Sequence, residues 1–198
     1  MKIIIIGATG TIGNHVTKLF EKKHEIIKVG ATQGDYQIDI TSSESIELFF
    51  QKIGSFDALV STTGKAAFKP LIEMRYNDFQ IGLQNKLLGQ VNLVLIGQHY
   101  INPSGSFTLT SGILSEDPIP SGTALSTVNG AINAFVKAAS IELKNNIRIN
   151  AVSPGVVEES PAYFDAFPGH IPVKMDTVTN AYYKSVMGAL NGEVLRVY

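Results

Sequence analysis

The chain has 198 residues, enough for one domain with a sizeable core. A hydrophobic fraction of 44% against a charged fraction of 17% excludes a disordered chain, and 16 basic against 17 acidic residues give no basic face for nucleic acid. The absence of cysteine excludes a disulfide framework, a thiol nucleophile and a cysteine-ligated metal, and is compatible with a cytoplasmic setting.

The chain opens on MKIIIIGATGTIG. Ile3, Ile4, Ile5 and Ile6 form a β-branched run of the length of a strand buried on both faces. The apolar run stops at Gly7, short of the ~7–15 residues of a secretory segment, and no stretch approaches the ~18 apolar residues of a membrane span. From Thr11 the spacing of Ile12, Val16, Leu19 and Phe20 predicts a helix over 11–23. Strand, glycine turn and helix are the context that a dinucleotide-binding glycine motif requires. Gly7 permits the tight turn, Gly10 the approach of a pyrophosphate to the backbone, and Gly13 the close packing of helix on strand. The phosphates would rest on the free N–H groups at the helix start, where the helix dipole favours negative charge.

Further strands are expected at 25–29 and 36–40, separated by a turn-rich loop at 30–35. Thr41 and Glu44 have capping-box spacing and open a helix with Ile46, Phe49, Phe50 and Ile53 on its inner face. A strand at 57–60 runs into Ser61, Thr62, Thr63 and Gly64. A long helix follows over 78–100, and Pro103-Ser104-Gly105 breaks the chain before a strand at 106–110. After a loop at 111–122 come an alanine-rich helix over 123–143, a strand at 147–152 and an irregular proline-rich segment at 154–173. Asp176 is placed to cap a last helix to Leu190, and Asn191-Gly192 turns into a strand at 194–197. The alternation predicts a single α/β domain over 1–198, a three-layer, Rossmann-type doubly wound parallel sheet of about seven strands. In such sheets the ligand lies beyond the strand C-termini, so five loops should converge on one crevice: 7–13, 30–35, 61–64, 111–122 and 154–173.

Five separated motifs in order resemble those of the short-chain dehydrogenase/reductase family over nearly the whole length. They are the glycine turn, Asp39-Ile40-Thr41, the run from Leu59 to Gly64, the run from Arg148 to Gly155, and Gly192 to Val197. The resemblance implies an NAD(P) site built from Gly7, Thr9, Gly10, Thr11, Ile12 and Gly13 at the turn, and Asp39 and Ile40 at the adenine. It adds Ser61, Thr62, Thr63 and Gly64 after the fourth strand, and Pro154, Gly155 and Val157 against the nicotinamide. It also implies a short substrate lid over 156–175. At the end of the second strand, where a carboxylate would hold the ribose of NAD, the chain has Gly30, Ala31 and Thr32. With no charge there to repel a phosphate, NADP is slightly favoured over NAD, although no arginine replaces it.

The family reduces carbonyls with a tyrosine and a lysine four residues later, and no tyrosine of this chain has a lysine at that spacing. The resemblance places Leu125 at the tyrosine position and Asn129 at the lysine position. Leucine donates no proton, and asparagine carries no charge to lower a neighbour's pKa, though Asn129 can still bond a ribose. The family's serine position falls on Gly112, or on Ser111 with a one-residue offset; Ser111 either orients a carbonyl or satisfies a strand end. Lys86 falls at or beside the family's asparagine, with Asn85 the other candidate; it either faces the crevice as an acid or charge partner, or is a solvated helix lysine. Tyr163 lies in the lid segment, where it reaches a substrate or merely packs the lid. His15, His24, His99 and His170 lack metal-ligand spacing, and His15 and His24 are expected on a solvated helix face.

Two functions follow. One is an NAD(P)-dependent oxidoreductase with a non-standard catalytic set (Ser111, Asn129, Lys86) acting on a small carbonyl or alcohol. The other is a catalytically inactive NAD(P)-binding protein or redox-state sensor. A homodimer through helices 78–100 and 123–143 is plausible, because Gly130, Ala131, Ala134 and Ala138 allow close helix contact, unless those residues face the sheet instead.

Overall fold

The structure is a computed structural model that describes residues 1–198. Seven parallel strands form one sheet in the order β3-β2-β1-β4-β5-β6-β7. They are β1 (Lys2–Ile6), β2 (Glu25–Gly30), β3 (Tyr36–Gln37), β4 (Phe56–Ser61), β5 (Ile101–Thr110), β6 (Arg148–Pro154) and β7 (Val194–Val197). The order reverses between β1 and β4, which opens a crevice at their C-terminal ends. Helices cover both faces, as parallel sheets demand. They are α1 (Thr11–Phe20), α2 (Ser43–Ile53), α3 (Tyr76–Gly82), α4 (Gly89–Gly97), α5 (Thr123–Glu142) and α6 (Met175–Met187), with a π-helical stretch, Leu83–Leu88, joining α3 to α4.

The four isoleucines of β1 feed both layers because side chains alternate along a strand. Ile4 and Ile6 pack with Phe49, Phe50, Leu93 and Ile132 on the side of α2, α4 and α5. Ile3 and Ile5 pack with Val16, Phe20, Val178 and Tyr182 on the side of α1 and α6. All four are buried. Arg148 at the start of β6 ties α6 to the sheet. Its guanidinium donates to the carbonyls of Ser185 (2.8 Å) and Val186 (2.7 Å), which the end of the helix leaves without intrahelical partners, and to that of Leu190 (3.0 Å) just beyond it.

Several local expectations are corrected. Ser42, not Thr41, caps α2: its hydroxyl accepts from the Ser45 N–H, while the Thr41 hydroxyl donates to Asp39 Oδ1 at 2.7 Å. β3 ends at Gln37, and Asp39 turns the chain by accepting from the Thr41 N–H at 2.8 Å. β5 begins at Ile101 and runs through Pro103-Ser104-Gly105 with a register shift against β4, between Phe56 and Ala58, so these residues bend a strand instead of preceding it. Asp176 lies inside the first turn of α6, whose cap is Lys174, and α6 ends at Met187. His24 lies beyond the end of α1, half-buried against Phe20, and burial lowers its pKa. The small residues of α5 do not face the sheet together: Ala134 and Ala138 are exposed, and a Cβ on Gly130 would meet nothing within 4 Å.

Candidate functional site

The turn after β1 is held by its neighbours. Gly7 has φ +82°, and the N–H groups of Gly7 and Ala8 both donate to the Val29 carbonyl, at 2.8 and 3.2 Å. A Cβ on Gly13 would overlap the Gly7 carbonyl oxygen and stand 2.7 Å from Thr62 Oγ1, so no other residue fits this helix–strand contact. Thr62 Oγ1 itself donates towards the Ile6 and Gly7 carbonyls, at 3.1 and 3.2 Å. Gly10 precedes α1 without a side-chain cap. The first-turn N–H groups of Thr11, Ile12 and Gly13 therefore remain free for an external acceptor.

Two hollows flank this turn. The smaller, about 340 Å³, is lined by Ile6, Gly7, Gly30, Ala31, Ile38, Asp39, Ile40, Thr63, Lys65 and Asn85. Its carboxylate, Asp39, is held ionised below its ordinary pKa by the side-chain and backbone hydrogen bonds from Thr41. The larger, about 650 Å³, lies over the ends of β4, β5 and β6. Its polar floor is Lys86, Ser111 and Asn129, and its walls include Ile12, Phe68, Ile81, Leu125, Val157 and Phe167. Lys65 borders both hollows.

The floor is organised around three consecutive residues at the end of β5. The Lys86 ammonium donates to the Thr110 carbonyl at 3.3 Å. Gln90, fully buried, braces the same peptide: its Nε2 donates to the Lys86 and Thr110 carbonyls, and its Oε1 accepts from the Thr110 N–H at 2.9 Å. Ser111 donates its N–H to the Val152 carbonyl, while its buried Oγ has no partner. Asn129 Nδ2 reaches the Gly112 carbonyl at 3.5 Å, and its buried Oδ1 has no partner. Buried polar atoms are ordinarily satisfied, so these two unpartnered atoms, on residues that both line the cleft, are free to bond a ligand there.

Lys86 is therefore not a solvated helix lysine: it is 6% exposed and stands in the π-helical stretch, a device that recurs at functional sites. Burial lowers its pKa from 10.5 to about 8. Gly64, at φ +128°, makes room for it, since a Cβ there would stand 2.5 Å from Lys86 Cγ. Nor does Ser111 satisfy the strand end with its hydroxyl, because that hydroxyl bonds nothing. Leu125 lies one turn before Asn129 on α5, and both line the cleft.

Of the residues singled out from sequence, Gly7, Ala31, Asp39, Ile40 and Thr63 line the smaller hollow. Ile12, Gly64, Lys86, Ser111, Asn129, Pro154, Gly155 and Val157 line the larger. Gly10, Thr11 and Gly13 build the turn between them, and Thr9, Thr32, Ser61 and Thr62 line neither hollow. Thr32 uses its carbonyl to accept from Gln37 Nε2, and Ser61 is buried in β4. Asn85 is not on the polar floor; its Oδ1 accepts from the Lys65 N–H at 2.6 Å. Tyr163 lines the cleft but is 61% exposed. His170 pairs with Asp117 at 3.2 Å, away from that floor. Sequence reasoning missed Lys65 and the apolar walls Phe68, Ile81 and Phe167; the position of Lys65, directly after the run ending at Gly64, was the available signal for it.

A doubly wound sheet with a glycine turn at its switch point and paired hollows on either side defines a Rossmann-type dinucleotide-binding class. Residues 7–180 match the family described as Enoyl-(Acyl carrier protein) reductase, and the chain belongs to this short-chain dehydrogenase/reductase family. The protein lin1944 of Listeria innocua is 47% identical in sequence, with a TM-score of 0.98 over 100% of both chains. A small-chain dehydrogenase in complex with NADPH is 26% identical, with a TM-score of 0.89 over 100% of this chain and 96% of that one. Among curated relatives, the 3-oxoacyl-acyl-carrier-protein reductase FabG of Thermotoga maritima is 24% identical over 180 residues, 78% of this chain and 73% of its own length. An uncharacterized oxidoreductase of Methylorubrum extorquens is 26% identical over 131 residues. The chain spans about half the length of that oxidoreductase (53%) and of hydroxynaphthalene reductase of Aspergillus fumigatus (55%). No helix is long and apolar enough to cross a membrane.

Proposed function

We propose that the protein is an NADP-dependent oxidoreductase that reduces a small carbonyl compound, or oxidises the corresponding alcohol, with an unusual catalytic set. The observation that carries this reading is the buried polar floor, an ammonium and two orphaned polar atoms around residues 110–112. A dinucleotide fits the chain's own features. The free N–H groups of Thr11, Ile12 and Gly13 suit its pyrophosphate, and Asp39, Ile40 and Thr63 suit the adenosine end. Asn129, Pro154, Gly155 and Val157 suit the nicotinamide end. Ala31 puts no carboxylate at the end of β2, and Lys65 stands beside the hollow, which favours the phosphorylated nucleotide. The NADPH bound by a relative at 26% identity supports the same choice.

Bound there, NADPH supplies a hydride to a carbonyl carbon. The chain supplies the rest. The Ser111 hydroxyl donates to the carbonyl oxygen and orients it. The Lys86 ammonium gives the proton that the nascent alkoxide takes up, and the amine recovers one from solvent. At a pKa of about 8 it remains largely protonated at neutral pH yet releases a proton more readily than an exposed lysine. The apolar walls and the segment carrying Tyr163 and Phe167 limit water over the floor.

NADPH oxidation across a panel of small carbonyl compounds tests this. Turnover lost in both Ser111→Ala and Lys86→Met supports it. Tight NADPH binding with no turnover of any carbonyl overturns it in favour of a nucleotide-binding sensor, the reading that Leu125 at the cleft favours. Exposed Leu95 on α4 and Ile141 on α5, with exposed Leu88 at the end of the π-helical stretch, support a homodimer through these helices.

A further inference from the structure

We infer that the substrate is an oxo acid whose carboxylate pairs with Lys86, with its carbonyl one or two carbons away. This deepens the oxidoreductase reading and rests on it for the chemistry, but not for the binding.

Lys86 is the one cation in the molecule buried at the floor of a cleft, and it forms no ion pair with any Asp, Glu or chain terminus. None of the residues lining that cleft is acidic, whereas two, Lys65 and Lys86, are basic. A buried charge is ordinarily paired, because the desolvation cost of an unpaired one amounts to several kcal/mol. A chain that needed only a hydrogen-bond donor here could use a neutral side chain. An ammonium costs stability that an arriving anion offsets.

The geometry also limits where the carbonyl lies. An ammonium has three N–H donors, and one of them reaches the Thr110 carbonyl. The Ser111 hydroxyl is on the next residue, and Asn129 is anchored on the carbonyl of the residue after that. The site for charge, held on the Thr110 carbonyl, and the site for a neutral oxygen, at the Ser111 hydroxyl, thus belong to adjacent residues, as a substrate with carboxylate and carbonyl close together requires. The two remaining ammonium protons can bridge its carboxylate and its carbonyl oxygen, which joins binding and proton donation in one group. Phe68, Ile81, Leu125 and Phe167 give the walls apolar faces beside Lys65, Ser160 and Tyr163, which suits a short hydrocarbon chain beyond the carbonyl. A bifunctional, heavily hydroxylated substrate such as a sugar finds no further buried partners there.

The test is titration calorimetry on the NADP-loaded protein, with oxamate as a non-reducible oxo-acid mimic and its methyl ester as the neutral control. NADPH oxidation is measured in parallel with pyruvate, α-oxobutyrate, acetoacetate and the methyl ester of each. The acids are expected to bind and react at least about tenfold better than the esters, the value of a hydrogen-bonded charge. Lys86→Met should abolish that preference, and Lys86→Arg should restore part of the binding. Equal affinity for acid and ester, or an acid preference that survives Lys86→Met, overturns the inference. Reduction of the esters alone overturns it while leaving the oxidoreductase reading intact. Binding of oxamate without turnover of any compound keeps the anion site and overturns the oxidoreductase reading instead. If Lys86→Met fails to fold, the wild-type comparison of acid with ester still decides.

Discussion

Lys86 and Thr110 meet 3.3 Å apart, ammonium on carbonyl, where the π-helical stretch crosses the end of β5. The contact joins the outer helical layer to the sheet at the point where the crevice opens, and it has a measurable cost. Burial lowers the lysine pKa from 10.5 to about 8, so the native chain holds this proton less firmly than the unfolded chain does. Below pH 8 both states carry the proton and the penalty is complete. Between about pH 8 and 10.5 the native state has released it and the unfolded state has not, so stability rises with pH. At about 1.4 kcal/mol per pH unit the interval corresponds to roughly 3–4 kcal/mol. Denaturant unfolding of wild type and Lys86→Met across this range should show the variant more stable at pH 7 and the difference closing by pH 10.5. Turnover should fall in the opposite sense, as the proton donor is lost above pH 8.

Ser111→Ala separates a functional hydroxyl from a structural one. Oγ of Ser111 is buried without a partner, so its removal costs no hydrogen bond and relieves a desolvated polar group. The variant should melt at the wild-type temperature or slightly above it. Its kcat should nonetheless fall by about 10- to 100-fold, the scale for a lost donor at a developing charge. Thermal melts and steady-state kinetics on the same preparation check both halves.

The glycine turn and the alternation of elements were legible in the sequence because each rests on local chemistry. Ile3 to Ile6 cannot be placed anywhere but between two layers, and Gly13 is fixed by its collision with the Gly7 carbonyl. The burial of Lys86 was not legible. Its helix carries apolar residues on more than one face, so periodicity gives no inner side, and the π-helical stretch departs from the 3.6-residue repeat. The start of β5 was hidden for a related reason, since Pro103 and Gly105 read as a break until the register shift against β4 shows how a strand absorbs them. Ser42 and Thr41 are adjacent and equally able to cap; the competing bond from Thr41 to Asp39 decides between them.

Arg148→Met tests how α6 is held. Two carbonyls in the last turn of that helix, those of Ser185 and Val186, and that of Leu190 just beyond it lose a charged donor. A loss of about 2–4 kcal/mol is expected from hydrogen bonds to a charged group. That corresponds to a fall in Tm of roughly 5–15 °C for a chain of this length. Nucleotide affinity measured below the new midpoint should be unchanged, because Arg148 lines neither hollow of the crevice.

Ala31→Asp tests the nucleotide preference. Ala31 lines the smaller hollow at the end of β2, where a carboxylate would accept from ribose hydroxyls and repel a phosphate on the same ring. The variant should bind NADPH at least about tenfold more weakly and NADH no more weakly than wild type, a change of the size of one charge-assisted hydrogen bond lost or gained. Fluorescence titration of both reduced nucleotides gives the two constants. A wild-type chain that binds NADH clearly more tightly than NADPH would remove the premise. Ala31 would then be a neutral position in a site that selects the unphosphorylated nucleotide by other contacts, with Asp39 as the carboxylate nearest at hand in the same lining.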